Sequence, residues 1–368
     1  MSSLLVEIVK ISGILPHDNA DKLEIAAVKG WYCVVAKGTF KVGEKAVYIP
    51  IDSVLGEPTL STLFPEGSKI RPTNGRIRTI KIRGVVSQGM LARLDTLSLP
   101  YSLEVGADVA KLLNITKYEP PVEPTRLGGQ TSPASRKDIN PNFKKYTGIE
   151  NFKNYHNVFE EGETVVITEK IHGTNFRCGW VPTATDTFLK KVKKFLRILP
   201  KYEFVYGSHN VQLTNKFIYD GFYQDQGNVY SKIVHKYDLK NILKSGQVLY
   251  GEIYGEGIQK GYTYGTKDHK LVVFDMMWDG KYLDPFVMKL TCGYNNLPTV
   301  PILYEGSFSA EKAKELTLGD SVLCPTQKVR EGIVIKPVRE SNHPRCGRKV
   351  LKLVSDIYLL DKTNSDHH

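Results

Sequence analysis

Apolar and polar residues alternate in short runs along the first part of the chain, which is the pattern of β-strands with one buried face. These runs cover residues 4–14, 23–28, 32–35 and 46–49, and glycines lie between them. Strands this short, joined by glycine turns at close spacing, favour a small closed β-barrel. The first 118 residues are therefore predicted to form an all-β domain.

After residue 142, the spacing of apolar residues is strand-like in some segments and helical in others. Strand-like runs cover residues 165–168, 204–206, 248–254, 271–277, 331–336 and 350–354, and helical periodicity covers 222–243 and 309–316. A basic amphipathic helix is also predicted at 187–201, either as an RNA-contacting insert or as an ordinary solvent-facing helix. Together these elements predict an α+β domain built on antiparallel sheets.

A proline-rich stretch with few apolar residues, 119–142, separates the two patterns. Such a composition buries no core and is typical of a linker. A chain of 368 residues is long enough for two domains. The predicted division is a barrel domain at 1–118, a linker at 119–142 and a second domain at 143–368.

Composition and net charge indicate which kind of protein this is and which kind of partner it binds. The chain is 41% hydrophobic and 24% charged, and no apolar run of about 18 residues is present. We therefore expect a soluble, intracellular protein without a membrane segment. Its five cysteines are far apart, which argues against a disulfide framework or a zinc site. The formal net charge of +11 suits a polyanion, and nucleic acid is the leading candidate.

One dense group of cations lies in the barrel domain. Its members, Lys69, Arg71, Arg76, Arg78, Lys81 and Arg83, fall between residues 69 and 83. They form either a stripe that follows a nucleic-acid backbone or a solvated polar face.

The stretch that organises the second domain is residues 165–176, VVITEKIHGTNF. It reads as a strand that ends at a charged pair and a glycine turn, so that Lys170 is presented at the strand end. A lysine amine in such a place is a candidate nucleophile, and the alternative is a plain surface lysine.

Four further segments follow in order: VLYGEIYG at 248–255, LVVFDMMWDG at 271–280, EGIVIKP at 331–337 and RKVLKLVS at 348–355. With the lysine stretch they resemble the five motifs of the covalent nucleotidyltransferases, which include RNA ligases, DNA ligases and mRNA capping enzymes. The wording EKIHGTNF is similar to that of nick-joining RNA ligases. ILPHDNADKLEIAAVKGW and VGEKAVYIP, at 14–31 and 42–50, resemble OB-fold domains, and an OB domain placed first is similar to one branch of RNA ligases.

The resemblance implies an N-terminal OB-type barrel followed by an antiparallel-sheet nucleotidyltransferase domain. It implies an ATP-dependent RNA ligase that seals 3′-hydroxyl and 5′-phosphate ends through a lysyl-AMP intermediate, with Mg²⁺ or Mn²⁺. The expected partner is nicked duplex RNA or an RNA/DNA hybrid, and the expected state is a monomer. The alternatives are a capping-type guanylyltransferase, a DNA ligase or a non-catalytic RNA-binding protein.

The resemblance also implies a role for each candidate residue. The expected catalytic residues are Lys170 and His172, with His172 expected to matter more to sealing than to adenylylation of the lysine. The expected nucleotide contacts are Glu169, Gly173, Asn175, Glu252, Phe274 as the adenine-stacking ring, and the phosphate-binding Lys336 and Lys352. The expected metal ligands are Glu331 and Glu252, because Mg²⁺ uses one or two carboxylates plus phosphate oxygens.

Two positions depart from the family pattern. Val354 stands where a second lysine commonly follows Lys352, and Lys349 is the other lysine that is able to fill that role. His209 stands near the position of an expected arginine, either as a phosphate contact or as a turn residue.

Overall fold

A computed structural model describes residues 5–68, 71–118, 140–184, 200–213 and 228–360. Most of the predicted linker and most of the predicted basic helix at 187–201 lie outside the described residues, as does Lys69. Among the described helices, none combines the length and hydropathy that a membrane span requires.

The first domain consists of short strands folded around two apolar clusters. Its strands are β1 (Glu7–Lys10), β2 (Gly13–Pro16), β3 (Leu23–Val28), β4 (Trp31–Ala36), β5 (Lys45–Ile49), β6 (Ser53–Leu55), β7 (Thr79–Ile82), β8 (Val85–Gln88), β9 (Met90–Ala92) and β10 (Ile115–Lys117), with one helix, α1 (Thr59–Leu63). They pair antiparallel in the orders β1-β5-β9, β2-β3-β4, β6-β10 and β7-β8. The run at 4–14 is two strands rather than one.

The second domain has two principal sheets. The five-stranded sheet has the order β11-β23-β20-β12-β19, from β11 (Glu150–Asn151), β12 (Thr164–Lys170), β19 (Ile302–Ser307), β20 (Gly332–Pro337) and β23 (Leu351–Val354). The six-stranded sheet has the order β15-β14-β13-β16-β17-β18, from β13 (Thr174–Pro182), β14 (Tyr202–Gly207), β15 (Gln212–Leu213), β16 (Gln247–Tyr254), β17 (Lys270–Trp278) and β18 (Lys281–Tyr282). A small hairpin joins β21 (Asn342–His343) and β22 (Gly347–Arg348). All pairs in both sheets are antiparallel except β11 with β23, so the predicted antiparallel α+β domain is confirmed.

Helices pack against strands of both sheets, and the last described helix contacts β7 of the first domain. They are α2 (Val229–Lys236), α3 (Leu239–Ile242), α4 (Pro285–Tyr294), α5 (Ala310–Thr317) and α6 (Asp356–Leu360). Asn228 and Ser309 begin α2 and α5 by accepting hydrogen bonds from the third amide of each helix. The helical prediction at 309–316 is confirmed. Within 222–243 the described part is two helices, α2 and α3, which meet at Asp238 in a left-handed conformation.

The alternation of side chains along β12, β20 and β23 gives the five-stranded sheet two different faces. The apolar face packs into one core, built from Val165, Ile167, Ile333, Ile335, Leu351 and Leu353 together with Phe152 and Phe308. The other face carries the polar positions of the same three strands. Burial of the apolar face therefore fixes which residues point the other way.

Contacts between the domains involve one short segment and α6. Trp31 Nε1 donates to Asn154 Oδ1 at 2.6 Å, and Lys153 Nζ donates to Gln88 Oε1 at 2.5 Å. Asp356, the first residue of α6, accepts from both Gln88 Nε2 and Lys153 Nζ at 3.1 Å. The C-terminal helix of the second domain is thus bonded to the barrel domain.

Candidate active site

Lys170 is the last residue of β12, and the turn that follows it lies against β16 of the other sheet at Gly173. The space bounded by Lys170, Glu331 and Glu252 is called the pocket below. Its Nζ is 2.5 Å from Oε1 of Glu331, the residue just before β20. The Lys170 side chain is 28% exposed and that of Glu331 is 8% exposed, so a ligand can reach the amine while the carboxylate is largely buried. The antiparallel register pairs Lys170 with Gly332, which brings Glu331 beside it.

Three lysines share the polar face of the five-stranded sheet. Cross-strand pairs place Lys336 opposite Val166 and Lys352 opposite Val334, in the same alternation set as Lys170. Burial lowers the pKa of Lys352, and repulsion from Lys170 lowers it further while Glu331 raises it. Lys170 and Lys352 are therefore close enough to act on each other's charge.

Lys349 does not lie in this group. Its Nζ is 2.7 Å from Oε1 of Glu163, at the end of β12 opposite Lys170. Seven residues of strand, about 20 Å, separate the two ends. Of the two lysines proposed for the last motif, Lys352 is the one on the polar face of the sheet.

The six-stranded sheet presents Asn175 and Glu252 as a cross-strand pair on β13 and β16. Phe274 lies at a shift of register, where β16 pairs Tyr250 with Asp275 but Gly251 with Val273. A bulge of this kind turns two consecutive side chains toward one face. Phe274, which is itself half-buried, packs against two clusters of buried residues, and its ring lies 4.9 Å from that of Tyr146.

Asp275 is the centre of a buried charge network that the sequence did not indicate. Its Oδ2 accepts from Lys336 Nζ at 2.8 Å, from Arg348 at 2.7 Å and from the Tyr146 hydroxyl at 2.8 Å. Burial opposes ionisation, but Lys336 and Arg348 lower the pKa of Asp275 below its ordinary value. Lys336 also donates to the Phe274 carbonyl at 2.7 Å. Lys336 therefore fixes the backbone that carries Phe274.

Arg348 completes this network from the last motif. It pairs with Glu340 and stacks on Tyr282, with 3.5 Å between the guanidinium carbon and the ring centroid. Burial opposes its charge, yet Asp275 and Glu340 raise the pKa of Arg348. The signal available in the sequence was Asp275 inside the apolar run at 271–278, since buried charges are rarely left unpaired.

Three of the expected nucleotide- and metal-binding residues carry a buried oxygen without a hydrogen-bond partner among the described residues. These atoms are Glu169 Oε1, Asn175 Oδ1 and Glu331 Oε2. Glu169 is held by its other oxygen, which accepts from the amides of Val322 and Leu323 at 2.8 and 3.2 Å. Buried polar atoms are normally satisfied, so three such oxygens among the residues expected to bind nucleotide and metal are typical of a ligand site.

His172 lies below the pocket surface, in a cluster of tyrosines. It is 4% exposed, its backbone amide donates to the Tyr264 hydroxyl at 2.8 Å, and its Nδ1 is 3.1 Å from the Tyr358 hydroxyl on α6. The ring of Tyr262 packs edge-on against it. This arrangement fixes the turn that follows Lys170, and it connects that turn to α6.

His209 is neutral at neutral pH. Burial lowers its pKa to about 4, and Arg177 and Lys145 act in the same direction. Arg177 is fully buried beside it and donates to the carbonyls of Ser208 and Phe143 at 2.9 and 2.6 Å. The cations of this region are therefore Arg177 and Lys145, and His209 supplies no positive charge.

Gly173 allows the turn after Lys170 to lie directly on β16. A Cβ at this position would be 2.2 Å from the Ile253 carbonyl oxygen and 2.9 Å from Glu252 Cγ. We expect Gly173→Ala to destabilise the protein by roughly 1–3 kcal/mol and to lower activity, because the turn must move. Thermal unfolding and activity measure both effects.

Gly293→Ala is the matched control for that substitution. Gly293 lies in α4 and has no atom within 4 Å of the added Cβ. Alanine is favoured over glycine in a helix, so this variant is expected to be neutral or slightly more stable. Equal stability of the two variants would contradict the steric role of Gly173.

The carboxylates in the pocket are suited to a hard divalent cation that is also coordinated by a bound ligand. Among the described residues, no three His, Cys, Asp or Glu side chains are grouped as a protein-only metal site would require. Mg²⁺ and Mn²⁺ commonly use one or two carboxylates and complete their shell with water and phosphate oxygens. The free oxygen of Glu331, with Glu252 on the facing sheet, fits that second arrangement.

A family model described as RNA ligase matches residues 163–354, which cover the five motifs except Ser355, the last residue of the fifth. The chain belongs to the RNA ligase family. A second model, described as an OB-fold domain, matches residues 5–94. The ligase therefore has an N-terminal OB-fold domain, as predicted. A search of curated proteins found no match.

Solved structures of an RNA ligase from Naegleria gruberi are similar over almost the whole chain. Its complex with pyrophosphate and that of a variant with ATP and manganese each have a TM-score of 0.73 and 26% sequence identity. A variant with AMP and manganese has a TM-score of 0.74 and 25% identity. In each case 97% of this chain and 98% of the other are covered.

Proposed function

We propose that this ligase uses ATP to join a 3′-hydroxyl to a 5′-phosphate of RNA, chiefly at nicks in duplexes, through a covalent bond between Lys170 and AMP. The observation that carries the proposal is the reachable Lys170 amine beside Glu331, on a sheet face that also bears Lys336 and Lys352. The Naegleria ligase, solved with ATP, AMP and manganese, supports the choice of nucleotide and ion.

Adenylylation needs a nucleophile, a place for the base and charges for the phosphates. Lys170 Nζ attacks the α-phosphorus; a nitrogen–phosphorus bond forms, the bond to the bridging oxygen breaks and pyrophosphate leaves. Glu331 Oε1, at 2.5 Å, is positioned to accept the proton of the ammonium group. Phe274 offers a ring face for adenine, and the unpartnered oxygen of Glu169 is an acceptor for its amino group. Catalysis of phosphoryl transfer rests chiefly on such positioning and charge.

The two later steps return the lysine to its starting form. An oxygen of the RNA 5′-phosphate attacks the phosphorus of AMP, and the bond to Lys170 breaks. The RNA 3′-hydroxyl then attacks the activated 5′-phosphorus, and AMP leaves with the electron pair. Lys352, on the same sheet face as Lys170, is the cation we assign to the phosphates in these steps. His172 acts as a positioning residue through the turn that it fixes.

A divalent ion would be held by Glu331 and Glu252. When bound, it neutralises charge on the phosphate oxygens and makes pyrophosphate a better leaving group. The protein groups keep the roles described above: Glu331 holds the Lys170 amine, and Asn175 offers an acceptor toward the sugar.

We further propose that the chain acts as a monomer with the division predicted from composition: an OB domain at 1–118, a linker at 119–142 and the nucleotidyltransferase domain at 143–368. Support comes from the strands of the first domain, which end at Lys117, and from Phe143, which packs into a core of the second.

The test is a sealing assay on nicked duplexes that carry RNA or DNA at the 3′-hydroxyl side and at the 5′-phosphate side. We expect sealing with ATP of nicks that carry RNA on both sides of the break. In parallel, labelled ATP should transfer its label to the protein and labelled GTP should not. Labelling by GTP without sealing would favour a capping enzyme and would contradict the proposal, as would sealing restricted to all-DNA nicks.

A further inference from the structure

The segment between α5 and β20 is hydrogen-bonded to the side chain of Glu169. Residues 316–324 are called the 316–324 segment below. The amides of Val322 and Leu323 donate to Glu169 Oε2 at 2.8 and 3.2 Å. Glu169 is 1% exposed, and its Oε1 has no hydrogen-bond partner among the described residues. The segment therefore occupies one oxygen of this buried carboxylate and leaves the other one available.

Arg330 fastens the 316–324 segment to the start of β20. Its guanidinium donates to the Leu316 carbonyl at 3.0 Å and, from two nitrogens, to the Asp320 carbonyl at 3.1 and 2.7 Å. Its backbone amide donates to the Gly319 carbonyl at 3.0 Å. Arg330 is buried, so these bonds are shielded from water, and hydrogen bonds are stronger in such surroundings.

Bonds within the segment and to the residues just after it fix its shape. Gly319 has a φ of +103°, a conformation that favours glycine. The buried Ser321 donates its amide to the Gln327 carbonyl at 2.9 Å, and its hydroxyl accepts from the Cys324 amide at 3.2 Å. The two amides that bind Glu169 follow Ser321 directly, so their directions are set before any ligand binds.

The two strand ends place this arrangement next to the nucleophile. Glu169 immediately precedes Lys170 on β12, and Arg330 immediately precedes Glu331, the partner of Lys170. One pair of neighbouring residues therefore holds the reacting amine, and the adjacent pair holds the two ends of the 316–324 segment.

The segment also lies near the ring that we assign to adenine. Leu323 and Phe274 pack against the same cluster of buried residues. An ionised carboxylate oxygen only accepts hydrogen bonds. Adenine carries an amino donor at its sixth position, whereas guanine carries a carbonyl acceptor there. A fixed carboxylate oxygen beside the base therefore favours the amino group over the carbonyl.

We propose that Arg330 is a positioning residue that sets the preference of the active site for a 6-amino purine nucleotide. Through the 316–324 segment it keeps one oxygen of Glu169 on the backbone amides and the other oxygen toward the amino group of the base. Arg330 acts through the segment and not by contact with the nucleotide. The inference rests on the proposed function, in which Glu169 accepts from adenine.

The test compares the binding of AMP with that of inosine monophosphate, which carries a carbonyl oxygen in place of the amino group. Neither nucleotide has pyrophosphate to release, so calorimetry measures affinity without reaction at Lys170. The variants are Arg330→Ala and Arg330→Lys, which keeps a cation but loses the planar fork of donors. The matched control is Lys328→Ala, because Lys328 is 75% exposed and pairs with Asp320 of the same segment. Thermal unfolding verifies that each variant is folded.

We expect the wild type and Lys328→Ala to bind AMP at least about tenfold more tightly than inosine monophosphate. Both Arg330 variants should lower this ratio to about threefold or less, through weaker binding of AMP and unchanged binding of inosine monophosphate. A purely structural role would weaken the binding of both nucleotides equally. That result, an unchanged ratio, or a wild type without preference would overturn the inference. If Arg330→Ala does not fold, Arg330→Lys decides.

Glu169→Gln tests the orientation of the side chain. The amides of Val322 and Leu323 need an acceptor, so the glutamine oxygen should stay on them and its amino group should replace Oε1. The site would then offer a donor to the base, and inosine monophosphate should become the preferred nucleotide. Retention of the wild-type preference for AMP would contradict the inference.

The binding assay also separates this inference from the proposed reaction. A protein that shows these affinity differences but takes up no AMP from ATP would refute the reaction and not the role of Arg330. Labelling of Lys170 by ATP, with the same nucleotide preference in the Arg330 variants as in Lys328→Ala, would refute the role of Arg330 and not the reaction.

Discussion

Lys170→Arg is expected to abolish ATP-dependent sealing, with a loss of at least about 10³-fold, because the guanidinium is not a nucleophile at neutral pH. The substitution preserves a cation beside Glu331, so the pocket keeps its charge. A nick that already carries AMP on its 5′-phosphate needs no lysine nucleophile. Sealing of that substrate should stay within about tenfold of wild type.

Lys349→Arg is the matched control in the same domain. Lys349 pairs with Glu163 away from the pocket, and its replacement should leave both reactions unchanged. Full ATP-dependent sealing by Lys170→Arg, or loss of both reactions in the control, would contradict the assignment of the nucleophile.

Asp275→Asn is expected to be among the most destabilising single substitutions in the chain. It leaves Lys336 and Arg348, each with a 5% exposed side chain, without the carboxylate that both contact. Removing one partner of a buried ionic network typically costs about 3–5 kcal/mol. Urea unfolding measures the loss, and adenylylation should weaken as well because Lys336 holds the Phe274 backbone.

The loss of stability caused by Asp275→Asn should become smaller as the pH falls. Folding lowers the pKa of Asp275. The ionised carboxylate therefore contributes its full free energy of folding above its unfolded pKa of about 4, and this contribution is lost as the pH falls through the folded pKa. The difference between wild type and variant should therefore shrink below about pH 4.

Asp320→Asn provides the exposed control, since the Lys328–Asp320 pair has side chains that are 75% and 50% exposed. Its effect should be small. If Asp275→Asn were as stable as Asp320→Asn, the buried network would not have the role described here.

The strands that build the site could be predicted because each buries one apolar face. The runs at 248–254 and 271–277 match β16 and β17 to within one residue at either end. The position of Lys170 at a strand end also followed from the β-branched run before it and the glycine after it. In these cases the local pattern of apolar residues was sufficient to predict the strand and its end.

Features that depend on cross-strand register could not be predicted. The bulge at Phe274 breaks the alternation of β17, and no local pattern indicates that Phe274 and Asp275 share a face. The choice between Lys349 and Lys352 also required the pairing of β20 with β23. The tyrosines around His172 lie about 90 and 186 residues away along the chain. Such contacts are set by tertiary packing and leave no periodic signal.

The central claim is that the Lys170 amine becomes bonded to AMP. Mass spectrometry of the wild-type protein after incubation with ATP and Mg²⁺ or Mn²⁺ tests it directly. The account predicts the added mass of one AMP per chain, located by peptide mapping on Lys170 and removed by excess pyrophosphate. An unmodified protein, or AMP on a different residue, would contradict it.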